Sequence, residues 1–433
     1  MKRSDRLRFL PVALLALGAT LPTATHAAPA QHASRASTTL RYAYFGGPDT
    51  AKLINQILPQ YYKAYPGVTV NLEPEPDSRV KGVTEIAAGT APDTFMLGDG
   101  DVAWYQAKGA VNDLAPYAKK DNFSLSQYYP GTLVLGKVGS HQYSLPKDYS
   151  PLAVYYNKDM FKAAGVPFPT ASWTWADFRQ DAIKLTKNGI YGAWLSGSWV
   201  REVEPVVRSL GGSLSSPDGM KVEGYMNSAA TAKAIQFWVN LFTQDKVSPT
   251  PAQQSSLNIG DPFASAKTAM TITGIWPYPG ATGYSNPKTL KFNWGVAPLP
   301  LGSANAKPIN TICYAGFVMS KTTKNPSQTW GLIKYMSGPV GDTVWAKNGL
   351  PAIPAVAAKV GADKNPVESV FLKAVNFATL PADANSGPSA QSVGDTLTEG
   401  LNLLLNTPGT PVQQVLNIEA KKGQKVIQQY LGH

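Results

Sequence analysis

The alternation of β-favouring runs with segments of helical periodicity constrains this chain more than any other feature. Residues 40–45 favour a strand and end at two glycines and a proline, and residues 49–65 place apolar side chains at the helical period. Residues 68–72 predict a second strand, residues 80–88 a helix and residues 94–97 a third strand. The order βαβαβ predicts an α/β fold with a mainly parallel sheet.

The same alternation continues along the rest of the 433 residues, a length that suggests two or three domains. Pro, Ala and Ser are frequent in residues 378–392, which predicts a loop. Further strands are predicted at residues 152–156, 268–272 and 292–297, and further helices at residues 175–187, 228–242, 326–336, 396–406 and 412–430.

Residues 1–27 have the pattern of a secretory signal peptide. Four basic residues lie within positions 1–9, an apolar run covers residues 10–21, and cleavage is predicted after Ala27. The apolar run is shorter than the roughly 20 residues that a membrane-spanning helix needs. No cysteine lies near the cleavage position, so the pattern is not that of a lipoprotein. We therefore expect a periplasmic or secreted protein with a flexible start at residues 28–37.

Composition and charge narrow the function classes. Hydrophobic residues make up 43% of the chain, enough for a large core, and the single cysteine, Cys313, excludes internal disulfides. Cys313 lies in an apolar run, which predicts a buried small side chain rather than a nucleophile. The net charge is +11, but Lys and Arg are scattered, which indicates a solvated surface and no nucleic-acid partner.

Signals for catalysis or for a cofactor are weak. The four histidines show no zinc-ligand spacing, and no serine has glycines two positions away on both sides. Residues 98–103 fit the dinucleotide pattern G-x-G-x-x-G/A, but Asp99 and Asp101 inside it would repel a pyrophosphate. We therefore expect no cofactor and no metal.

Several segments resemble the extracellular solute-binding proteins of the maltose-binding type, called family 1. The densest are residues 143–186, which open with Tyr-Ser-Leu-Pro-Lys-Asp, residues 269–276, which end in Gly-Ile-Trp, and residues 294–300. A weaker match lies at residues 91–93, Ala-Pro-Asp. The similarity extends from about residue 40 to residue 431, in the order that the family has them.

The resemblance implies a two-lobe periplasmic-binding-protein fold (type II-like), in which each lobe is a mainly parallel sheet flanked by helices. The ligand cleft lies between the lobes, and ligand binding favours closure because only the closed state lets both lobes touch the ligand. The implied function is high-affinity capture of a mono- or oligosaccharide and its delivery to the membrane permease of an ABC importer. A monomer without enzymatic activity is expected.

The resemblance also implies the course of the chain between the lobes. Three connections would form the hinge, near residues 147–151, 302–307 and 337–343, and all three contain Gly, Pro or Ser. Lobe one is expected to comprise residues 38–147 and 307–340, and lobe two residues 148–303 and 341–433.

Aromatic and acidic residues at strand ends are the ligand-binding candidates, because a sugar offers apolar ring faces and hydroxyl edges. Trp276 ends a predicted strand and is the first candidate, since relatives place a stacking Trp there; Tyr278 is its companion. Asp148 and Tyr149 lie at the first predicted crossing. The remaining candidates are Asp99, Asp101 and Trp104 after the strand at 94–97, Phe45 and Gly46 after the first strand, Ser198 and Trp199, and Gly316.

Alternatives to a sugar-binding protein remain open at this point. The same fold could bind a polyamine, a phosphate ester or a metal chelate, and Arg201 beside Trp199 leaves room for an anionic sugar derivative. It could also serve as a sensor subunit that binds the same ligand. A secreted carbohydrate-active enzyme would need two carboxylates about 5–10 Å apart. Candidates for that pair are Glu202, Glu204, Asp99 and Asp148.

Overall fold

A computed structural model describes residues 37–46, 48–75, 78–98, 100–280, 282–385, 387 and 390–432. The predicted signal peptide at residues 1–27, and the predicted flexible start apart from Ser37, lie outside the described residues. Within the described part of the chain, no helix has the length and apolarity that crossing a membrane requires.

Every predicted strand and helix is present, and further elements that were not predicted, among them the long strand β10 (Asn310–Met319), lie between them. The strands are β1 (Thr38–Tyr44), β2 (Val68–Pro74), β3 (Thr94–Gly98), β4 (Lys137–Val138), β5 (His141–Gln142), β6 (Ser144–Pro151), β7 (Ala153–Asn157), β8 (Met270–Thr273), β9 (Trp294–Pro298), β10 (Asn310–Met319) and β11 (Ala378–Thr379). The helices are α1 (Pro48–Ala64), α2 (Ser78–Ala87), α3 (Asp101–Ala107), α4 (Ala115–Lys120), α5 (Pro130–Val134), α6 (Lys158–Ala164), α7 (Trp175–Leu185), α8 (Val200–Ser209), α9 (Ala229–Thr243), α10 (Pro251–Leu257), α11 (Pro326–Ser337), α12 (Pro339–Trp345), α13 (Pro354–Val360), α14 (Glu368–Ala374), α15 (Ala382–Asn385), α16 (Ala390–Asn406) and α17 (Val412–Leu431).

Two larger sheets organise these elements, and β4 and β5 form a separate two-stranded sheet. The first has the strand order β11-β10-β3-β1-β2, with β6 also pairing with β10. The second has the order β8-β7-β9. The α/β class predicted from the alternation is therefore confirmed, with one sheet built mainly from the first part of the chain and the other from its middle.

The expectation of a mainly parallel sheet in each lobe holds only in part. Strand β1 is parallel to β2 and β3, as a βαβαβ unit requires, but β10 is antiparallel to β3 and β6. In the second sheet, β7 is antiparallel to both neighbours. The prediction was wrong there because pairing between strands more than a hundred residues apart is not encoded in the local pattern.

Local signals explain why residues 154–186 fold as they do. Strand β7 ends at Asn157, whose side chain accepts hydrogen bonds from the backbone N–H groups of Asp159 and Met160 and so begins α6. Helix α6 ends at Gly165, whose φ of 64° is left-handed and suits glycine. Helix α7 begins with a capping box between Thr174 and Asp177.

Only Leu152 separates β6 in the first sheet from β7 in the second, so the first crossing is very short. The Asn310 side chain, at the start of β10, accepts a hydrogen bond from the Leu152 N–H at 3.0 Å and donates one to the Leu152 carbonyl at 2.8 Å. This reciprocal pair joins the first crossing to the point where the chain returns to the first sheet. The predicted hinge at 147–151 lies within β6, and the one at 302–307 lies between β9 and β10.

The predicted third hinge, residues 337–343, lies at the junction of α11 and α12. Helix α12 packs against α1 and β6, which places it on the first sheet. Helix α14 contacts β9 of the second sheet as well as β6. The boundary predicted at residue 341 therefore precedes the place where the chain reaches the second sheet, because short helices conceal the crossing in the sequence pattern.

Candidate ligand cleft

A cavity of about 250 Å³, called cavity one here, lies where the two sheets meet. Phe45 follows β1 and Asp148 lies on β6, both from the first sheet, whereas Trp276 follows β8 of the second. Strands β6 and β10 change register beside it, between Ala315 and Gly316. Its full lining is Phe45, Lys147, Asp148, Tyr149, Ser150, Ile275, Trp276, Cys313, Tyr314, Ala315, Asn348 and Gly349.

The charged groups of cavity one neutralise each other. The Lys147 ammonium forms a salt bridge with the Asp148 carboxylate, and Lys147 is only 8% exposed. The same ammonium lies 4.8 Å from the centroid of the Trp345 ring, within the range of a cation–π interaction. The pair therefore offers both a donor and an acceptor to a ligand without a strong net charge.

Two further polar groups of cavity one have raised pKa values. The Tyr149 hydroxyl has no hydrogen-bond partner among the described residues, and burial raises its pKa far above the usual value. Burial also raises the pKa of the Cys313 thiol to about 11, so the thiol is protonated at neutral pH. A protonated thiol is a poor nucleophile, because the thiolate is the reactive form.

Trp276 is 47% exposed, which is unusual for a side chain of this size. Its ring lies so close to Gly274 that a Cβ added there would be 2.0 Å from a ring carbon. The Trp199 ring packs edge-on against it, with 6.1 Å between the centroids. Trp276 therefore presents a supported aromatic surface to solvent.

Trp276 also lines a second cavity of about 320 Å³, called cavity two here. The Asp261 carboxylate in this cavity accepts hydrogen bonds from the Tyr284 hydroxyl at 2.8 Å and from the Ala264 N–H at 2.9 Å, so its orientation is fixed. The lining comprises Trp194, Ser196, Trp199, Glu202, Gln254, Asp261, Pro262, Phe263, Thr271, Ile272, Thr273, Trp276, Pro277 and Tyr284.

Glu202 is a buried carboxyl group at the edge of cavity two. It is 1% exposed, and its Oε2 accepts hydrogen bonds from the backbone N–H and the hydroxyl of Ser196. Its Oε1 has no hydrogen-bond partner among the described residues. Burial raises the pKa of Glu202 to about 8, against the smaller opposing effect of the Ser196 hydrogen bonds, so the group is largely neutral at pH 7.

The structure brings some of the predicted ligand residues together. Phe45, Asp148, Tyr149 and Trp276 line cavity one, and Trp199 joins Trp276 in cavity two. These five residues come from four separate segments of the chain. Their role in ligand binding stays a prediction.

Other predicted ligand residues lie elsewhere. Asp101 is buried in the first turn of α3, and Trp104 packs against Tyr105 of the same helix. The Tyr278 hydroxyl accepts a hydrogen bond from the Asn365 side chain at 3.0 Å, and Ser198 precedes Trp199 without lining either cavity. Asp99 lies outside the described residues.

The two predicted glycines have structural roles. Gly46 has a φ of 112°, and a Cβ there would lie 2.3 Å from the Thr50 hydroxyl oxygen. A Cβ at Gly316 would lie 2.2 Å from the Tyr314 hydroxyl and 2.3 Å from the Ser144 hydroxyl, so glycine permits the close approach of β10 and β6. Both positions shape the cleft, and neither lines the two cavities.

Sequence reasoning missed several lining residues. Lys147 was adjacent to a predicted residue, but Asp261, Tyr284 and Trp194 had no strand-end signal of their own. Tertiary contacts bring these residues to cavity two: Trp194 forms a parallel bridge with Thr271 of β8, and the Tyr284 hydroxyl donates a hydrogen bond to Asp261. Within the described part of the chain, no cluster of three or more His, Cys, Asp or Glu side chains is suited to holding a metal ion.

A third cavity, of about 650 Å³, is larger than either of these but differs in chemistry. It lies between α8 and β11 and is lined by Glu204, Arg208, several serines and one aromatic residue, Tyr225. The Arg208 guanidinium donates a hydrogen bond to the Thr379 hydroxyl and lies 3.8 Å from the Glu204 carboxylate. Without facing aromatic surfaces, this cavity does not match the predicted sugar cleft.

Comparison with known proteins identifies the family. The family model of the bacterial extracellular solute-binding proteins matches residues 47–343. These residues include the second sheet, the first sheet except β1 and β11, and most of the lining of the two cavities. This chain belongs to the bacterial extracellular solute-binding protein family. The family match agrees with the resemblance found in the sequence, and it confirms the expected two-lobe fold.

Individual members of the family are distant from this chain. A binding protein of Brucella abortus (strain 2308) is 25% identical over 284 residues, and the match covers 63% of this chain and 65% of that protein, just under two thirds of its length. The maltodextrin-binding protein of Bacillus subtilis (strain 168) is 24% identical over 370 residues, covering 80% of this chain and 85% of that one. The sn-glycerol-3-phosphate-binding periplasmic protein of Escherichia coli (strain K12) is 25% identical over 288 residues, covering 64% and 63%.

A solved structure shows the same fold. The ABC substrate-binding protein of Listeria monocytogenes, in complex with cycloalternan, superposes with a TM-score of 0.78 at 24% sequence identity. The superposition covers 92% of this chain and 99% of that protein. The described solute-binding fold therefore extends over nearly the whole chain.

The contact between Gly274 and Trp276 yields a first prediction for this family member. Gly274→Ala is expected to displace the Trp276 ring from the walls of the two cavities and to weaken solute binding by about tenfold, which corresponds to about 1.4 kcal/mol of binding free energy. Titration calorimetry with the first solute found to bind measures this. Gly131→Ala, where an added Cβ makes ordinary contacts at 3.6 Å, is the matched control. Unchanged binding in Gly274→Ala would contradict a role for the Trp276 ring position.

Proposed function

We propose that this protein captures a carbohydrate outside the cytoplasmic membrane and delivers it to the permease of an ABC importer. The observation that carries the proposal is the exposed Trp276 ring, supported by Gly274 and Trp199 and shared by two cavities with aromatic walls. Flat aromatic faces beside fixed carboxylates suit sugar rings with apolar faces and hydroxyl edges. The names of the maltodextrin-binding and cycloalternan-bound relatives support the same ligand class.

The charges around the two cavities favour a neutral ligand over an anion. Lys147 is the one cationic residue among the described residues that line them, and it is paired with Asp148. Arg201, which the sequence analysis considered as a residue that could bind an anionic sugar derivative, is 4% exposed and forms a salt bridge of 3.1 Å with Asp383. In cavity two, a phosphate would therefore lie beside the Asp261 carboxylate, and no unpaired cationic side chain among the described lining residues would balance its negative charge.

Two other classes remain as rivals. The match to a glycerol-3-phosphate-binding protein keeps a phosphate ester as the second candidate. A carbohydrate-active enzyme, the third candidate, would need a pair of carboxylates, and cavity two contains Glu202 and Asp261. Because members of this family are named as binding proteins, we propose that the pair binds ligand and has no catalytic role.

The proposed mechanism is closure of two lobes around the ligand. Lobe one is built on the first sheet and lobe two on the second, with crossings at Leu152, between β9 and β10, and between α12 and α14. Cavity one already has walls from both lobes, so a ligand there gains contacts when the lobes approach. Residues 1–27 are proposed to be removed as a signal peptide on export, leaving a periplasmic or secreted monomer.

A thermal-shift screen tests the ligand class. We expect at least one neutral saccharide to raise the melting temperature of residues 28–433, because a ligand at 100 times its Kd stabilises the folded state by about 2.7 kcal/mol. Glycerol 3-phosphate and spermidine serve as charged comparisons. Stabilisation by glycerol 3-phosphate alone would replace the sugar by an anion, and chromatography showing that the sugar is consumed would establish an enzyme.

A further inference from the structure

A fourth cavity, of about 240 Å³, called cavity four here, lies between α1, α4 and α11. It shares no residue with cavity one or cavity two. We propose that cavity four is a second binding site, which takes one ring of an acidic glycan built from uronic acids. Its lining is Tyr65, Pro116, Tyr117, Lys120, Asp121, Ser327 and Trp330.

Helix α1 separates cavity four from cavity one. Phe45, which lines cavity one, lies shortly before α1 begins, and Tyr65 follows the residue where α1 ends. A helix of 17 residues is about 25 Å long, at about 1.5 Å per residue. All lining residues of cavity four also lie within the ranges predicted for lobe one. We therefore expect cavity four to keep its shape when the lobes close and to bind independently of the cleft.

Three aromatic rings form walls of cavity four, and their neighbours hold them in place. The centroids of the Tyr117 and Trp330 rings are 6.0 Å apart. The Tyr65 ring stacks on Tyr61 of α1, with 4.9 Å between the centroids. It also lies close against α11, since a Cβ added to Gly331 would be 2.2 Å from the Tyr65 Cζ. Rings held in this way can contact the apolar face of a sugar with little loss of conformational entropy.

Asp121 is an oriented hydrogen-bond acceptor beside these rings. Its Oδ2 accepts a hydrogen bond from the Trp330 indole N–H at 2.9 Å and forms a salt bridge with the Lys334 ammonium. The hydrogen bond from Lys334 lowers the pKa of Asp121, so the carboxylate is ionised at neutral pH. Its Oδ1 accepts no hydrogen bond from the described residues and can accept one from a sugar hydroxyl.

The charges around cavity four favour an acidic ring. Lys334 balances Asp121, whereas the exposed Lys120 forms no salt bridge with any described residue. One ammonium group is therefore left to pair with a carboxylate of the ligand. The net charge of the chain, +11, adds a general attraction for anionic polymers. A uronic acid unites the two features that this site matches, because it is a sugar ring that carries a carboxylate.

Titration calorimetry with acidic oligosaccharides tests the site. Trimers of galacturonate, glucuronate and mannuronate are each compared with their methyl esters, which keep the ring and remove the charge, and with inorganic phosphate. Lys120→Gln removes the ammonium group, Tyr117→Ala removes an aromatic wall, and Tyr117→Phe retains the ring. The matched controls are Lys119→Gln, the adjacent exposed lysine outside the cavity, and Tyr430→Ala on α17. Melting temperatures verify that each variant is folded.

We expect at least one acidic trimer to bind, and its methyl ester to bind at least about fivefold more weakly. Lys120→Gln should weaken binding of the acid by about fivefold and Tyr117→Ala by about tenfold, while Tyr117→Phe should stay within about twofold of the natural protein. Both controls should bind the acid normally, and so should Trp276→Ala, because the cleft is a separate site.

Four results would overturn the assignment to cavity four. They are an ester that binds as tightly as the acid, an equal loss of affinity in Lys119→Gln, binding of phosphate with the same response to the variants, and loss of acid binding in Trp276→Ala. Failure of every acidic trimer to bind would do so as well. The cleft is tested separately, because Lys120→Gln should keep the thermal shift that a neutral saccharide produces. The carbohydrate function proposed for the cleft can therefore stand or fail without cavity four.

Discussion

Replacing Trp276 by alanine is expected to weaken saccharide binding by about 30-fold or more. Central aromatic residues that are buried by a ligand typically contribute 2 kcal/mol or more when truncated, and 2 kcal/mol corresponds to about a 30-fold change in Kd. Trp276 meets this condition because the residue is 47% exposed and lines both cavities. The folded state should lose little, since nearly half of the residue's surface is exposed to solvent and is not packed in the core. We expect the melting temperature to fall by no more than about 4 °C.

Titration calorimetry and thermal unfolding of the same samples separate these two effects. Trp276→Phe retains a flat aromatic face and should recover part of the affinity. Tyr430→Ala removes another exposed aromatic side chain, on α17 and outside both cavities, and should leave binding unchanged. Normal binding by Trp276→Ala would mean that the ligand cleft lies elsewhere, with the large cavity between α8 and β11 as the next candidate.

The position of Trp276 beside the two cavities could be predicted from sequence because it follows a predicted strand. Loops at strand ends form the ligand sites of α/β folds. Its role in ligand binding stays a prediction. Tyr278, two residues later, had almost the same signals but bonds to Asn365 and packs on Trp294. The difference between them depends on which distant loops lie alongside, and local spacing does not contain that information.

The same limit explains why Asp261 and Glu202 were not predicted as ligand residues. Asp261 becomes a fixed acceptor because the nearby Ala264 N–H and the hydroxyl of Tyr284, 23 residues away, both donate to it. Glu202 lies on an amphipathic helix and borders cavity two because Ser196 connects it to the loop that contains Trp199. In both cases the chemistry results from tertiary contacts between polar residues that have no distinctive spacing.

Strands and helices could be predicted where the hydrophobic periodicity of the sequence is strong, and they were missed where that periodicity is weak. Strands β1, β2 and β3 and helix α17 appear within a few residues of their predicted positions. The predicted loop at residues 378–392 contains β11 and α15 instead. Strand β11 consists of two residues that pair with Asn310 and Thr311, so its strand character comes from β10 and not from its own sequence.

The neutral carboxyl group of Glu202 leads to a prediction about stability and pH. Its pKa is about 8 in the folded protein and near the ordinary value of 4.5 in the unfolded chain. Between these values the folded state holds a proton that the unfolded state has lost, so unfolding becomes easier as the pH rises. The stabilising effect of this proton is complete below about pH 4.5 and is lost as the pH rises through about 8.

Glu202→Gln should therefore lose less stability than the natural protein between pH 5 and pH 8. The amide imitates the neutral acid, and its oxygen can still accept hydrogen bonds from Ser196. One pKa unit corresponds to about 1.4 kcal/mol, so the difference in the free energy of unfolding over this interval should be on the order of 3–4 kcal/mol. Urea unfolding at both pH values measures it.

The variant will not abolish the pH dependence, since burial also raises the pKa of Glu204 and of Asp342 to about 7. Glu399→Gln, an exposed carboxylate paired with Lys422 at 3.3 Å, is the control and should show the natural dependence. If Glu202→Gln matched that control, Glu202 would be ionised in the folded protein. Cavity two would then carry two negative charges, from Glu202 and Asp261, and a cationic ligand would fit it better than a neutral sugar.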